Sequence, residues 1–147
     1  MTIRKAEARD KGRVLAMARA FHAASGVAVP FSAALASMVF DATLADPDRL
    51  CLVLEVGGVA TGVLAAQAGP HGFFPVKLAS ELMFWIDPPH RGTTAARHMI
   101  AAFEMWARSR DCQISHLVGL GDEPAVGRLY ARCGYQPAER HFMKHLL

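Results

Sequence analysis

Residues 87–96, called the anion segment below, combine residue types that can hold an anion. Their sequence is Asp-Pro-Pro-His-Arg-Gly-Thr-Thr-Ala-Ala, and they join the apolar run Leu82–Ile86 to a strongly amphipathic helical pattern. A helix that starts directly after a strand leaves its first amides without intrahelical acceptors, at the positive end of the helix dipole. Arg91 adds a permanent charge, and Gly92 lets the backbone approach a ligand closely. The segment therefore predicts a phosphate-type anion site, with an ordinary capped strand-to-helix connection as the alternative.

Six strands and four helices are predicted around this segment from hydrophobic periodicity and turn residues. The predicted strands are Thr2–Ala6, Arg49–Val56, Val59–Gln67, Leu78–Ile86, Gln113–Leu120 and His141–Leu146. The first helix begins after Asp10 as its N-cap and the second at Pro30; the third follows the anion segment, and the fourth begins at Pro124. This order predicts a mixed α/β domain in which helices flank a sheet.

The helical patterns also predict which side chains are buried. In the first helix these are Val14, Met17, Ala18 and Phe21, and in the second Phe31, Leu35, Met38, Val39 and Ala42. The third helix has the clearest stripe, formed by Ala96, Met99, Ile100, Phe103, Trp106 and Ala107. The fourth presents Val126, Leu129, Tyr130 and Cys133.

Length and composition predict one domain over residues 1–147. The chain is 52% apolar and carries a net charge of +3, and its scattered basic residues lack the clustering typical of nucleic-acid binders. The longest apolar region, residues 51–68, is interrupted by Glu55 and by the Gly57-Gly58 pair, which favours a tight hairpin over a membrane span. Three cysteines without a CxxC pair, and an N-terminus without a signal-peptide core, predict a cytoplasmic protein.

The anion segment and the strand before it resemble a motif of the GNAT superfamily of acyl-CoA-dependent N-acetyltransferases. That motif is a strand ending in Val-x-Pro-x-x-Arg-Gly-x-Gly-x-Gly/Ala, and this chain has Ile86, Pro88, Arg91 and Gly92 at matching positions. The family's middle glycine is Thr94 here. The resemblance implies binding of acetyl-CoA, with its pyrophosphate on the anion segment. The residues that it assigns to coenzyme A here are Phe84, Trp85, Ile86, Arg91, Gly92, Thr93, Thr94, Ala95 and Ala96.

A second stretch resembles the family motif Asn-x-x-Ala-x-x-Leu-Tyr-x-x-x-Gly-Phe/Tyr. Leu129, Tyr130, Gly134 and Tyr135 match, and Glu123 stands at the usual asparagine. The resemblance implies that Glu123 and Tyr130 contact the cofactor. It extends over nearly the whole chain and implies a mixed, mostly antiparallel central sheet flanked by helices, with a splayed strand pair that holds acyl-CoA.

The chemistry implied by the resemblance is direct transfer of an acetyl group to a primary amine in a ternary complex. An unprotonated amine attacks the thioester carbonyl, and a backbone amide near residues 84–86 stabilises the developing oxyanion. Tyr130 occupies the family's usual position for the general acid that protonates the departing thiolate. Spacing alone favours the alternative, in which Tyr130 is an amphipathic core residue with a satisfied hydroxyl.

Glu81 is the candidate base for the incoming ammonium. Strand alternation predicts that Glu81, Met83 and Trp85 share one face, toward the acceptor cleft, while the residues between them pack beneath a helix. A carboxylate among apolar neighbours has a raised pKa and can relay a proton through water. A solvent-facing glutamate at a strand edge is the alternative.

No metal site is predicted, although two His or Cys pairs have ligand-like spacing. His141 with His145, and Cys112 with His116, fall on predicted strands, where four residues span about 13 Å. One zinc ion, with bonds to histidine of about 2 Å, cannot bridge that distance.

The acceptor and the assembly are left open by the sequence. A polyamine, an aminoglycoside, an amino acid and a protein N-terminus all fit a primary-amine acceptor, and the resemblance is compatible with a homodimer. A non-catalytic acyl-CoA-binding regulatory module is the second hypothesis. A small basic nucleic-acid binder is the third, and it predicts steeply salt-dependent affinity for DNA or RNA. No membrane partner is predicted.

Overall fold

The computed structural model describes residues 1–119 and 124–146, which contain four α-helices and five strands. The helices are α1 (Lys11–Ser25), α2 (Ala33–Ala45), α3 (Ala95–Ser109) and α4 (Pro124–Arg132). The strands are β1 (Thr2–Lys5), β2 (Arg49–Val56), β3 (Val59–Pro70), β4 (Lys77–Ile86) and β5 (Ile114–His116). None of these helices has the length and apolar character needed to cross a membrane.

The strands form one sheet in the order β1-β2-β3-β4-β5. The first three pairings are antiparallel, and β4 pairs with β5 in parallel. Gly57 and Gly58 join β2 to β3 with φ angles of +59° and +78°, which the predicted tight hairpin turn requires. The mixed, mostly antiparallel sheet flanked by helices is therefore confirmed.

Helices pack on both faces of the sheet. On one face, Met99, Ile100 and Phe103 of α3 are at most 1% exposed, and Met99 and Phe103 belong to a core shared with apolar residues of β2 and β3. On the other face, Met17 of α1 and Phe40 of α2 share a second core with β2 and β3. The predicted stripe of α3 is thus confirmed, and its burial fixes the position of the anion segment that leads into the helix.

The face that α2 turns to the core differs from the predicted one. Phe40 is 4% exposed, whereas Leu35 and Met38, which were expected to be buried, are 60% and 70% exposed. The other predicted positions within α2 are exposed as well. Because Asp41 is the one charged residue of the helix, its sequence is apolar on nearly every side, and periodicity cannot select the buried face.

Asp10 precedes α1 but does not cap it with its side chain. Its carboxylate instead accepts two hydrogen bonds from Arg4, at 2.8 and 3.0 Å, and one from the amide of Glu7 at 2.7 Å. The Arg4 guanidinium lowers the pKa of Asp10. The predicted start of the helix is confirmed, and the predicted capping role is wrong because β1 supplies a stronger partner.

The strand predicted over His141–Leu146 is not formed. Residues 136–146 have no regular secondary structure, and Phe142 and Leu146 are 89% and 87% exposed. The strand predicted over Gln113–Leu120 shortens to β5, and Leu120 itself lies outside the described residues. Alternating residues form a strand only where a neighbouring strand pairs with their backbone groups. Among the described residues of these two segments, such pairing is limited to β5 and to the amide of Gln113, which donates to the carbonyl of Lys77.

Candidate active site

A β-bulge in β4 sets the direction of the Glu81 side chain. Glu81 pairs with Ala66 and Met83 pairs with Ala65, so Leu82 is an extra residue without an opposite partner. Ala66 belongs to the core on the α3 side of the sheet, and directly paired residues of antiparallel strands share a face. The expectation that Glu81 and Met83 share a face is therefore wrong, because the bulge shifts the alternation between them.

β4 and β5 diverge from Glu81 onward. Their pairing ends at Ser80 and His116, and the amide of Val118 donates to Glu81 Oε2 at 2.9 Å. Within the described part of the chain, the outer edge of β4 from residue 81 to 86 has no strand partner. This divergence is the splayed strand pair expected from the resemblance, and the Glu81 carboxylate lies in it.

The environment of Glu81 changes its protonation. The residue is 5% exposed, and burial raises the pKa of its carboxyl from 4.5 to about 7, against the opposing effect of the Val118 amide. A carboxyl group with this pKa can both take up and release a proton near neutral pH.

Tyr130 of α4 reaches the same residue, Val118, which lies two positions beyond the end of β5. Its hydroxyl donates to the carbonyl of Val118 at 2.9 Å. Burial, and secondarily the negative charge of Glu81, raise the pKa of Tyr130, so its hydroxyl keeps its proton at neutral pH. Tyr135 supports this placement of α4 through a 2.8 Å hydrogen bond between its hydroxyl and Ser115 Oγ. Glu81 and Tyr130 thus meet at the backbone of Val118.

The anion segment presents free amides at the start of α3. Gly92 has a φ of +76°, a conformation that favours glycine. The amide of Ala95 donates to Thr93 Oγ1 at 3.2 Å, whereas those of Gly92, Thr93, Thr94 and Ala96 have no protein acceptor within the described residues. Thr94 has φ −73° and ψ −6°, which any residue adopts. The backbone therefore does not need the family's glycine at Thr94.

Arg91 is held against the end of β4. Its Nε donates to the carbonyl of Ile86 at 2.7 Å, and its guanidinium lies 4.5 Å from the centroid of the Trp85 ring. The Nη atoms of Arg91 have no acceptor in the part of the chain that the structure describes. Trp85 packs against the core on the α1 side. Arg91 therefore offers charged donors beside the free amides.

The structure brings most of the predicted site residues together along β4. The outer edge at Phe84, Trp85 and Ile86 connects the Glu81–Tyr130 pair to the anion segment. A cavity of about 320 Å³ lies beside the segment, between α3 and α4, and Thr94 lines it. Glu123 lies outside the described residues, so its predicted cofactor contact stays a prediction.

Three residues at the site were missed by sequence analysis. Val118 contributes only backbone groups, which leave no side-chain signal. Arg13 on α1 bonds to Asp87 across 74 residues of sequence, and helical periodicity identifies Arg13 only as a polar position. Asp87 belongs to the anion segment, but its type suggested no partner.

The variant Glu81→Gln is expected to be more stable than wild type at pH 8. Folding raises the pKa of Glu81 from 4.5 to about 7, so the folded chain keeps a proton that the unfolded chain releases between these values. Stability therefore falls as pH rises from about 4.5 to about 7, and the neutral glutamine lacks this loss. We expect a difference of about 2–3 kcal/mol at pH 8 that shrinks toward pH 4, measured by urea unfolding.

Glu139→Gln, which replaces an exposed glutamate, is the control for this measurement. His141 lowers the pKa of Glu139, so its substitution is expected to give no stabilisation at pH 8. A difference in the free energy of unfolding between Glu81→Gln and wild type that stayed constant from pH 4 to pH 8 would contradict the raised pKa of Glu81.

Comparison with known families identifies the class of protein. A sequence model of the acetyltransferase (GNAT) family matches residues 15–135, which include the anion segment and Tyr130. The chain therefore belongs to the GNAT acetyltransferase family. No curated protein matches the chain in sequence.

Solved structures share the fold over nearly the whole chain. An acetyltransferase of Clostridium acetobutylicum, itself described as predicted and solved with acetyl-CoA, is 17% identical, with a TM-score of 0.80 and coverage of 99% of this chain and 96% of that one. An aminoglycoside antibiotic 6′-N-acetyltransferase of Acinetobacter haemolyticus is 19% identical, with a TM-score of 0.79 and 99% of both chains covered. A transcriptional regulator of Bacillus halodurans is 16% identical, with a TM-score of 0.80 and 99% of both chains covered. At these identities the likeness concerns the fold.

Proposed function

We propose that residues 1–147 form one acetyltransferase domain that transfers the acetyl group of acetyl-CoA to a primary amine by direct attack. The observation that carries this proposal is the joint placement of Glu81 and Tyr130 on Val118, inside the splay that leads to the anion segment. An acid–base pair at one end of a cleft and an anion site at the other suit a thioester substrate with a diphosphate.

The described residues fit acetyl-CoA as a substrate. The free amides of the anion segment and the Nη atoms of Arg91 suit the diphosphate. The unpartnered edge of β4 from Glu81 to Ile86, about 16 Å long as an extended strand, suits the pantetheine arm. Amides of this edge near Phe84 would also donate to the thioester oxygen as it gains charge. Glu123 is proposed to contact the same arm.

The reaction consists of one bond exchange and three proton movements. The amine nitrogen forms a bond to the acetyl carbon, and the bond between that carbon and sulfur breaks. Tyr130 donates its hydroxyl proton to the departing sulfur. Glu81 takes a proton from the ammonium, directly or through one water, and thereby supplies the free amine. After the attack the nitrogen carries one extra proton, which passes through water to the Tyr130 oxygen and restores its hydroxyl.

The environments of both side chains support these roles. With a pKa of about 7, Glu81 is ionised in part of the molecules at neutral pH. In the ionised form it can accept a proton from the ammonium, and it can release that proton again. The raised pKa of Tyr130 keeps the hydroxyl protonated until the thiolate forms. Because Tyr130 now donates to Val118, transfer requires its hydroxyl to turn from that carbonyl toward the sulfur.

The proposed acceptor is a small molecule with a primary amine. One structural neighbour is an aminoglycoside N-acetyltransferase, and exposed apolar side chains of α2, such as Leu35 and Met38, offer contact surface for part of an acceptor. A homodimer is compatible with this proposal.

Thiol release from acetyl-CoA tests the proposal when coenzyme A binding is measured in parallel. Polyamines, aminoglycosides, amino acids and N-terminal peptides serve as acceptors, and turnover with at least one of them is expected. Binding without turnover across the panel would favour the non-catalytic acyl-CoA-binding module. Absence of coenzyme A binding would contradict both.

A further inference from the structure

A chain of side-chain contacts joins α1 to the anion segment. Arg13 of α1 pairs through Nη2 with Asp87 Oδ2. The other carboxylate oxygen of Asp87 accepts from Trp85 Nε1 at 3.0 Å, and the Trp85 ring lies beneath Arg91. Arg13 Nε also donates to the carbonyl of Ala60 at 3.0 Å, which ties the network to β3. The network therefore links Arg91 to a helix on the opposite side of the sheet from α3.

Asp87 places a negative charge at the start of a site for anions. A carboxylate near a diphosphate lowers affinity unless a cation compensates for it. Within the described residues, Arg13 is the cation at ion-pair distance from Asp87. The Asp87 side chain is 26% exposed, so solvent screens this charge only in part.

Asp87 also fixes the orientation of the Trp85 ring, on which the Arg91 guanidinium lies. An indole has one N–H donor, and that of Trp85 is bonded to Asp87. The ring orientation set by this bond supports the guanidinium of Arg91 through a cation–π contact. A side chain held in its binding position loses less conformational entropy when the ligand binds.

We propose that Arg13 and Asp87 are positioning residues for the anion segment. Asp87 orients Trp85 beneath Arg91, and Arg13 neutralises Asp87, so that the segment keeps its affinity for the diphosphate of coenzyme A. This inference rests on the proposed function.

Charge compensation is tested by the coenzyme A affinity of three variants, measured by titration calorimetry at low salt. Arg13→Gln leaves Asp87 unpaired and is expected to raise Kd about fivefold. The double variant Arg13→Gln with Asp87→Asn is expected to recover most of that loss, because asparagine keeps an acceptor for Trp85 without the charge. Arg19→Gln is the matched control, because Arg19 is another arginine of α1 and contacts the ring of Phe31 instead of Asp87. The Kd of this variant for coenzyme A is expected to equal that of wild type.

The role of Asp87 in orienting Trp85 beneath Arg91 is tested by a double-mutant cycle. Arg13→Gln with Asp87→Ala and Arg13→Gln with Asp87→Asn both lack the charge pair, and only the asparagine keeps an acceptor for Trp85. The alanine combination is expected to bind coenzyme A more weakly when Arg91 is present but equally in an Arg91→Ala background. A purely structural role would lower the melting temperature and leave this coupling at zero.

Each outcome separates this inference from the proposed function. Wild-type protein that fails to bind coenzyme A contradicts the proposed function. Wild-type binding, with Arg13→Gln unchanged in Kd or not rescued by Asp87→Asn, overturns the positioning role and leaves the proposed function standing.

Discussion

The variant Tyr130→Phe is expected to lose about 10²-fold in kcat for acetyl transfer, the typical contribution of a general acid. The substitution removes the hydroxyl that lies 2.9 Å from the Val118 carbonyl and leaves the ring in place. The departing thiolate must then take its proton from water. Because the ring remains, Kd for acetyl-CoA is expected to stay at the wild-type value, which separates loss of chemistry from loss of binding.

Tyr135→Phe is the matched control for this experiment. Tyr135 is also half-buried beside β5, and its hydroxyl bonds to Ser115 and not to the backbone of Val118. Both substitutions remove one hydrogen bond of similar energy, about 1 kcal/mol, so their melting temperatures should fall alike. The acid role of Tyr130 would be refuted if both variants kept wild-type kcat.

The variant Phe103→Ala is expected to lower the free energy of unfolding by about 3–5 kcal/mol. Phe103 has no exposed surface and stacks on Trp106 at 6.3 Å between ring centroids. Its removal leaves a cavity between α3 and the sheet that the surrounding strands cannot close. Urea unfolding at pH 7 measures the loss.

Met105→Ala on the same helix is the control for cavity formation. Met105 is 70% exposed, so the substitution keeps the helix and creates no cavity, and a change within about 0.5 kcal/mol is expected. If Phe103→Ala lost as little free energy of unfolding as this, the core beneath α3 would have to collapse and fill the cavity.

Features with a local physical cause were predictable from the sequence. The stripe of α3 places apolar residues at one angular position, and the buried Met99, Ile100 and Phe103 confirm it. The Gly57-Gly58 turn follows from the positive φ angles that glycine alone adopts without strain. The anion segment follows from a strand that ends at a proline pair and restarts as a helix.

Features that depend on a distant partner were not predictable. Asp10 has the residue type of a helix cap, yet Arg4 takes its carboxylate. The tail around Phe142 alternates like a strand, yet none of the described strands pairs with it. In α2, apolar residues occur on nearly every side of the helix, so packing against α1 and the sheet determined that Phe40 is the buried one.

Thr94 shows the limit of interpreting a motif without its backbone. Its identity departs from the family's glycine, a residue that also adopts backbone conformations that are strained for threonine. The φ of −73° shows that the backbone at this position is helical, so a threonine fits there without strain.

Sequence alone was sufficient for the family, the four helices and the first four strands, because each depends on neighbours within a few positions. The relation between Glu81 and Tyr130 required the fold. A one-residue bulge at Leu82 turned Glu81 to the α3 side, and the divergence of β5 brought the backbone of Val118 between the two side chains. Neither the bulge nor the divergence has a sequence signal, since both arise from how strands pair across the sheet.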